Sequence, residues 1–254
     1  MAVQSSFWPF LVSLVLFSLM SNLVLWFHLK LSFTMVLFPG LLLVTTKFLW
    51  WKDLNRESMI GYHTHKLEDC LIYAVLSFHL WEVFGRMFIF WAFYDASLSP
   101  ANDDPQMADV MYSPHKHVYI FKFLMIMIMY ISGITVTWAH HSIMNNYFNK
   151  SVFSLGITVV LGDYFLFMQW VQYNEAQFSI ADGVYGSTFF MATGFHGMHV
   201  MVRTIFLFYV LLNLLDCKLL YNHHFSFEAA AWYWHFADVV WLILFISIYW
   251  WGSL

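Results

Sequence analysis

One acidic residue stands in the middle of an apolar run. Glu82 lies between Leu71 and Tyr94, in a stretch that otherwise suits hydrocarbon. His79 precedes it by three residues and Arg86 follows it by four, so all three share one face of a helix. A charge at such a depth costs on the order of 3 kcal/mol and is rarely kept without a partner or a task. Two chemistries fit: a buried carboxyl poised for proton exchange, and a structural charge neutralised locally. Glu followed by Arg at i+4 is the better-interacting order on a helix. That spacing predicts a Glu82 that is ionised and bonded to Arg86. His235 and Asp238 are three apart in the last apolar run and read as a mutually neutralised, buried polar pair.

The 13 histidines invite a haem or metal reading. His196 and His199 share a helix face. His140-His141 and His223-His224 are adjacent pairs, and adjacent residues on a helix point in different directions, so each pair is a poor chelate. HExxH and Cys-cluster patterns are absent, and Cys70 and Cys217 sit far apart as two unpaired thiols. The residues therefore predict no metal site and no catalytic group. Intramembrane histidines more often bond a neighbouring helix, a carbonyl or a headgroup. Two rival functions remain beside this: a proton channel or transporter built on Glu82 and Asp163, and a b-type cytochrome using His196 or His235.

These side chains must be held by helices in a bilayer. Hydrophobic residues make up 61% of the 254-residue chain and charged residues 10%, and mean hydropathy is +0.65. A soluble domain of this length needs far more polar surface. The net charge of −4 is too mild for a nucleic-acid partner. A crossing helix needs roughly 20 apolar residues. Seven runs qualify: about 10–27, 31–51, 71–94, 118–138, 152–173, 186–215 and 229–251. The expected fold is an all-α polytopic membrane protein, a single membrane domain over residues 1–254. Pro39-Gly40 should kink the second span. Residues 95–117, with Pro100, Pro105 and Pro114, read as an irregular outer loop. Lys52, Arg56, Lys66, Lys150 and Lys218 fall in loops on one side, against Lys30 and Lys116 on the other. This bias puts the N-terminus inside. The outer loops hold Asp95, Asp103, Asp104, Asp109, Glu175 and Asp182. No cleavable targeting pattern is read at the start.

Several blocks resemble one family in order and spacing. They are Trp8-Pro9, Leu25-Trp26-Phe27-His28, WWKDLNRES at 50–58, Gly61-Tyr62-His63-Thr64, Trp81-Glu82-Val83 and FWAFYDASLSP at 90–100. TWAHHSI at 137–143, Tyr173-Asn174-Glu175-Ala176, DGVYGSTFFMATGFHGMHV at 182–200 and NHHFSFEAAAWYWHFADVVWLILFISIYWWGS at 222–253 complete the set. Together they cover most of the chain, which is similar to subunit III of cytochrome c oxidase, respiratory complex IV.

The resemblance implies seven transmembrane helices in two bundles, spans one and two against spans three to seven, around a V-shaped lipid cleft. It implies a core subunit without a redox centre, supporting subunit I in oxygen reduction, aerobic electron transport and proton pumping. Haem and copper would belong to partner subunits, subunit I being the chief partner. It also implies structural phospholipid, with Trp51, Arg56, Glu57, Ser58 and His63 as headgroup ligands. Lys218, on the same side, could add a second cation; there Asn213 and Asp216 stand where the family usually has basic residues. The implied location is the mitochondrial inner membrane, N-terminus in the matrix and C-terminus facing the intermembrane space, with a bacterial plasma membrane as the alternative. Arg86, Asp163 and Arg203 also depart from the family, which has apolar or small residues there. Glu82, Arg86, Asp163 and Arg203 sum to zero charge. Asp163, at a depth similar to that of Arg86, is expected as a second partner for its guanidinium, and His79 as a member of the same network.

Overall fold

A computed structural model describes residues 6–62, 64–99, 116–176, 178–219 and 224–251. The chain is an all-α polytopic membrane protein, and the described residues include seven helices long and apolar enough to cross a bilayer. These are α1 (Trp8–Phe27), α2 (Thr34–Ile60), α3 (His65–Leu98), α4 (Lys116–Met144), α5 (Phe148–Glu175), α6 (Gly183–Leu215) and α7 (Phe225–Leu244). A π-helical segment, Phe245–Trp250, continues α7. Most of the expected outer loop, residues 100–115, lies outside the described residues, as do Asp103, Asp104 and Asp109.

Several helices overrun their apolar runs. The clearest case is α2, which starts three residues later than expected and continues through Lys52, Asp53, Arg56, Glu57 and Ser58 to Ile60. The polar block 50–58, expected as a loop, is helix. Leu, Arg, Glu and Lys are good helix formers, and no Gly or Pro interrupts them. Polarity there marks the edge of the hydrocarbon, not the end of the helix. The stop comes at Gly61, whose φ of +88° suits a residue without Cβ. Gly61 N–H donates to the Ser58 carbonyl and Tyr62 N–H to the Glu57 carbonyl, each at 3.1 Å. This is the Schellman pattern.

The chain divides into two units, Met1–Asp69 and Cys70–Leu254. In the first, α1 packs on α2. Pro9 occupies the first turn of α1, where its missing N–H costs nothing. Pro39 lies inside α2 and cannot donate to the carbonyl of Met35. Asn22 of α1 supplies that bond instead, Nδ2 to the Met35 carbonyl at 2.9 Å. Trp8 Nε1 donates to Asp53 Oδ2 at 2.7 Å, so the start of α1 is tied to the end of α2.

The second unit has its core between α4, α5, α6 and α7, around buried Phe165, Leu155, Leu207, Trp234 and Trp241. Small residues allow close approach. A Cβ on Gly162 of α5 would stand 2.6 Å from Thr204 Oγ1 and 2.8 Å from the Trp234 ring. Polar side chains bridge helices where no water competes: Thr135 to Thr158 at 2.8 Å, Trp234 Nε1 to Ser132 Oγ at 3.0 Å, and Gln172 Nε2 to Tyr249 Oη at 2.8 Å. Outward faces carry large apolar side chains such as Phe17, Trp81 and Phe88, as lipid contact requires.

Candidate functional site

The polar centre of the second unit is built on Glu82. Its Oε1 lies 2.6 Å from Arg86 Nη2, 2.9 Å from Arg203 Nη2 and 2.9 Å from His199 Nδ1. Glu82, Arg86 and Arg203 are all buried. His199 Nδ1 is also 3.0 Å from the Tyr233 hydroxyl, and the Arg203 guanidinium lies 4.1 Å from the Tyr233 ring centroid. Two helices thus meet at one carboxylate, α3 giving Glu82 and Arg86 and α6 giving His199 and Arg203, while α7 adds Tyr233 against His199 and Arg203.

The expected Glu82–Arg86 pair is present. The rest of the expected network is not. Asp163 is exposed on α5 and makes no hydrogen bond or ion pair among the described residues. Among the described residues no second acid reaches Arg86; the further charge at the site is Arg203, which bonds Glu82 instead. Depth misled here: counted at about 1.5 Å per residue from Leu98 and from Gly183, Glu82 and Arg203 differ by only about 6 Å, within reach of an arginine side chain. His79 does not bond Glu82 either. Its Nδ1 contacts the Val75 carbonyl at 2.6 Å, and its ring packs edge-on against Tyr233 and Phe236. The missed members left one readable signal, since His199 and Arg203 are spaced i, i+4 and so share a face of α6.

The charges no longer balance. One carboxylate faces two guanidiniums, so the cluster carries an excess of +1 with neutral histidines. Glu82 Oε2, Arg86 Nε and both Nε and Nη1 of Arg203 are buried without a hydrogen-bond partner in the protein. The arrangement suits holding α3 against α6 and α7. It does not suit a carboxyl that must shed and regain its proton, because any neutralisation of Glu82 leaves two buried cations unpaired.

His235 and Asp238 face each other, but Nδ1 to Oδ2 is 3.8 Å and the His235 side chain is 46% exposed. They are a loose, half-exposed pair rather than a buried one. Their shape has a use in packing, since a Cβ at Gly133 of α4 would approach Asp238 Oδ2 to 2.7 Å. His196 is fully buried, its ring between Phe165 and Trp241 at centroid distances of 5.7 Å and 4.9 Å.

Of the expected headgroup ligands, Trp51, Arg56, Glu57 and Ser58 lie on the last turns of α2. Arg56 is exposed and only loosely paired with Asp53, at 3.9 Å. His63 lies outside the described residues. Lys218 follows α6 and is held by Asp216, Nζ to Oδ2 at 2.5 Å. Cys70 and Cys217 are free and exposed.

Comparison with known proteins gives one consistent answer. The chain matches the family described as "Cytochrome c oxidase subunit III" over residues 1–253. It is 44% identical to "Cytochrome c oxidase subunit 3" of Salmo salar over 256 residues, covering 99% of this chain and 96% of the relative. The proteins of that name from Gadus morhua and Myxine glutinosa are each 45% identical over 256 residues, with the same coverage.

Proposed function

The chain belongs to the cytochrome c oxidase subunit III family, and from that premise we propose that it is a core subunit of the oxidase without a redox centre of its own. Its relatives are subunits of an enzyme complex, and its partners are other subunits of that complex. Its location is an inner membrane. Packing chiefly against subunit I, it supports oxygen reduction and proton pumping there, while haem and copper sit in the partners. The observation that carries this reading is the match over residues 1–253.

The structural role assigned to Glu82 agrees with it. A transporter needs an acid that changes protonation cyclically, and a carboxylate under three donors from two helices is poorly placed for that. The basic loops support an N-terminus in the matrix and a C-terminus facing the intermembrane space. Phospholipid is held at the end of α2, where Arg56 offers an uncrowded guanidinium at headgroup level. Mild detergent extraction tests the main reading. The chain should co-purify with a haem-bearing oxidase and, once separated, should show no Soret band and no proton flux in liposomes. A Soret band belonging to the separated chain, or flux that depends on Glu82, would overturn it.

A further inference from the structure

Three metal-ligating side chains meet where α4 ends and α7 begins. His140 lies one turn before the end of α4. His224 caps the N-terminus of α7, its carbonyl accepting from Phe227 N–H at 2.9 Å and Glu228 N–H at 3.1 Å. This sets Glu228 one turn above His224. His224 Nε2 is 3.3 Å from Glu228 Oε1, close but not aligned as a hydrogen bond. The His140 and His224 ring centroids are 5.7 Å apart. One ligand atom from each of the three residues lies within 4.8 Å of the others. His140 Nε2 and both ring nitrogens of His224 are buried with no hydrogen-bond partner in the protein. Two imidazoles with uncommitted ring nitrogens and a partly exposed carboxylate therefore converge.

We propose that His140, His224 and Glu228 bind a divalent transition-metal ion, zinc by preference, that ties the end of α4 to the start of α7. Neither adjacent histidine pair is a chelate by itself. The fold takes one imidazole from each pair and adds Glu228. Two nitrogens and one oxygen suit zinc, with Zn–N of about 2.0–2.1 Å and Zn–O of about 2.0–2.2 Å. Tetrahedral geometry then asks for ligand atoms about 3.3 Å apart, a change that side-chain rotation supplies. Magnesium and calcium prefer all-oxygen sets. Three protein ligands leave a fourth position for water. The Glu228 side chain is 33% exposed, so an ion has a way in. Its carboxylate also offsets the positive end of α7, which alone would oppose a cation.

The test uses the intact membrane complex that contains the chain. It is dialysed against micromolar free zinc, and zinc per complex is counted for the wild type and for His140→Gln, His224→Gln and Glu228→Gln. Each histidine variant should hold one zinc fewer. Glu228→Gln should bind that zinc about tenfold more weakly or worse, since even outer-shell changes cost that much. His141→Gln, one residue along and already bonded to Asn145, should leave the count unchanged. Equal counts and affinities in wild type and all three variants would overturn the proposal. Should the variants fail to assemble, zinc-edge anomalous scattering from the zinc-soaked wild type decides. A peak between His140 and His224 supports the site, and no peak there overturns it.

Discussion

Glu82 receives Arg86, Arg203 and His199 on a single oxygen, and this crowding determines what its substitution should do. Glu82→Gln removes the anion and leaves two buried guanidiniums without a counter-charge. The cost of breaking a buried pair is about 3–5 kcal/mol, and α3, whose polar hold on α6 runs through this carboxylate, should loosen first. Lower yield of assembled subunit and earlier thermal release of α3 by hydrogen exchange are the readouts. The triple substitution Glu82→Leu, Arg86→Met, Arg203→Met should recover most of the loss, because apolar groups of similar volume replace buried ion clusters at little cost. Labelling gives an independent check. Carbodiimides attack the protonated acid, so an ion-paired Glu82 should react slowly and react faster once Arg86 and Arg203 are both methionine. Rapid labelling in the wild type would contradict the structural role. Half of this cluster was legible in the chain: Arg86 at i+4 from Glu82 is a local pattern. Arg203 was visible as a charge in an apolar run, but linear spacing cannot say which helix faces which. Depth alone points to Asp163 as the partner, and depth ignores the direction a helix face points.

Four helices, α1, α2, α4 and α6, end in a common way, and that makes their stops testable. Leu29, Gly61, Asn146 and Cys217 all have positive φ, at 56°, 88°, 58° and 54°. Each is followed by a backbone bond of the Schellman type: Lys30 N–H to the Leu25 carbonyl, Tyr62 to Glu57, Tyr147 to Ser142 and Lys218 to Asn213. The left-handed conformation costs a residue with Cβ roughly 1–2 kcal/mol. Cys217→Gly should therefore stabilise the end of α6 by about 1 kcal/mol, and Gly61→Ala should destabilise the end of α2 by about as much, both measured as shifts in unfolding midpoint. Gly61 and Asn146 are residue types that favour this conformation. Leu29 and Cys217 carry no such signal, since tertiary context holds them in a conformation their types disfavour. The α5 interior yields a third test. Gly162→Ala would push a methyl into Thr204 and Trp234, with an expected cost of about 1–3 kcal/mol. Adding Thr204→Ser, which removes the Cγ2 methyl 3.3 Å from that Cβ, should return part of it.

At the scale of the molecule, the seven crossings were readable because hydrocarbon leaves the backbone few alternatives. Their ends were not, because a helix persists beyond the bilayer wherever no residue breaks it, and the last turns of α2 show the consequence. Lys52, Asp53, Arg56 and Glu57 stand on a helix that emerges from the membrane, so their side chains are spaced by the helix rather than by a loop. Asp53 already accepts from Trp8 Nε1 at 2.7 Å, and its contact with Arg56 is long at 3.9 Å. On the proposed reading this exposed guanidinium meets a headgroup, where a planar fork matches phosphate oxygens in pairs. Lys218, by contrast, is engaged by Asp216 and should contribute little. A basic residue near an anionic headgroup is worth about 1 kcal/mol, or about a fivefold change in retention. Arg56→Ala should then lower phospholipid retained through detergent washing about fivefold at that site, Arg56→Lys should lower it less, and Lys218→Ala should scarcely change it. Raising the salt should shrink the difference between wild type and Arg56→Ala, because the contact is exposed and screened within a Debye length. Phosphorus per haem after washing is the measurement. An Arg56→Ala complex that keeps all of its tightly bound lipid would remove the headgroup from the end of α2.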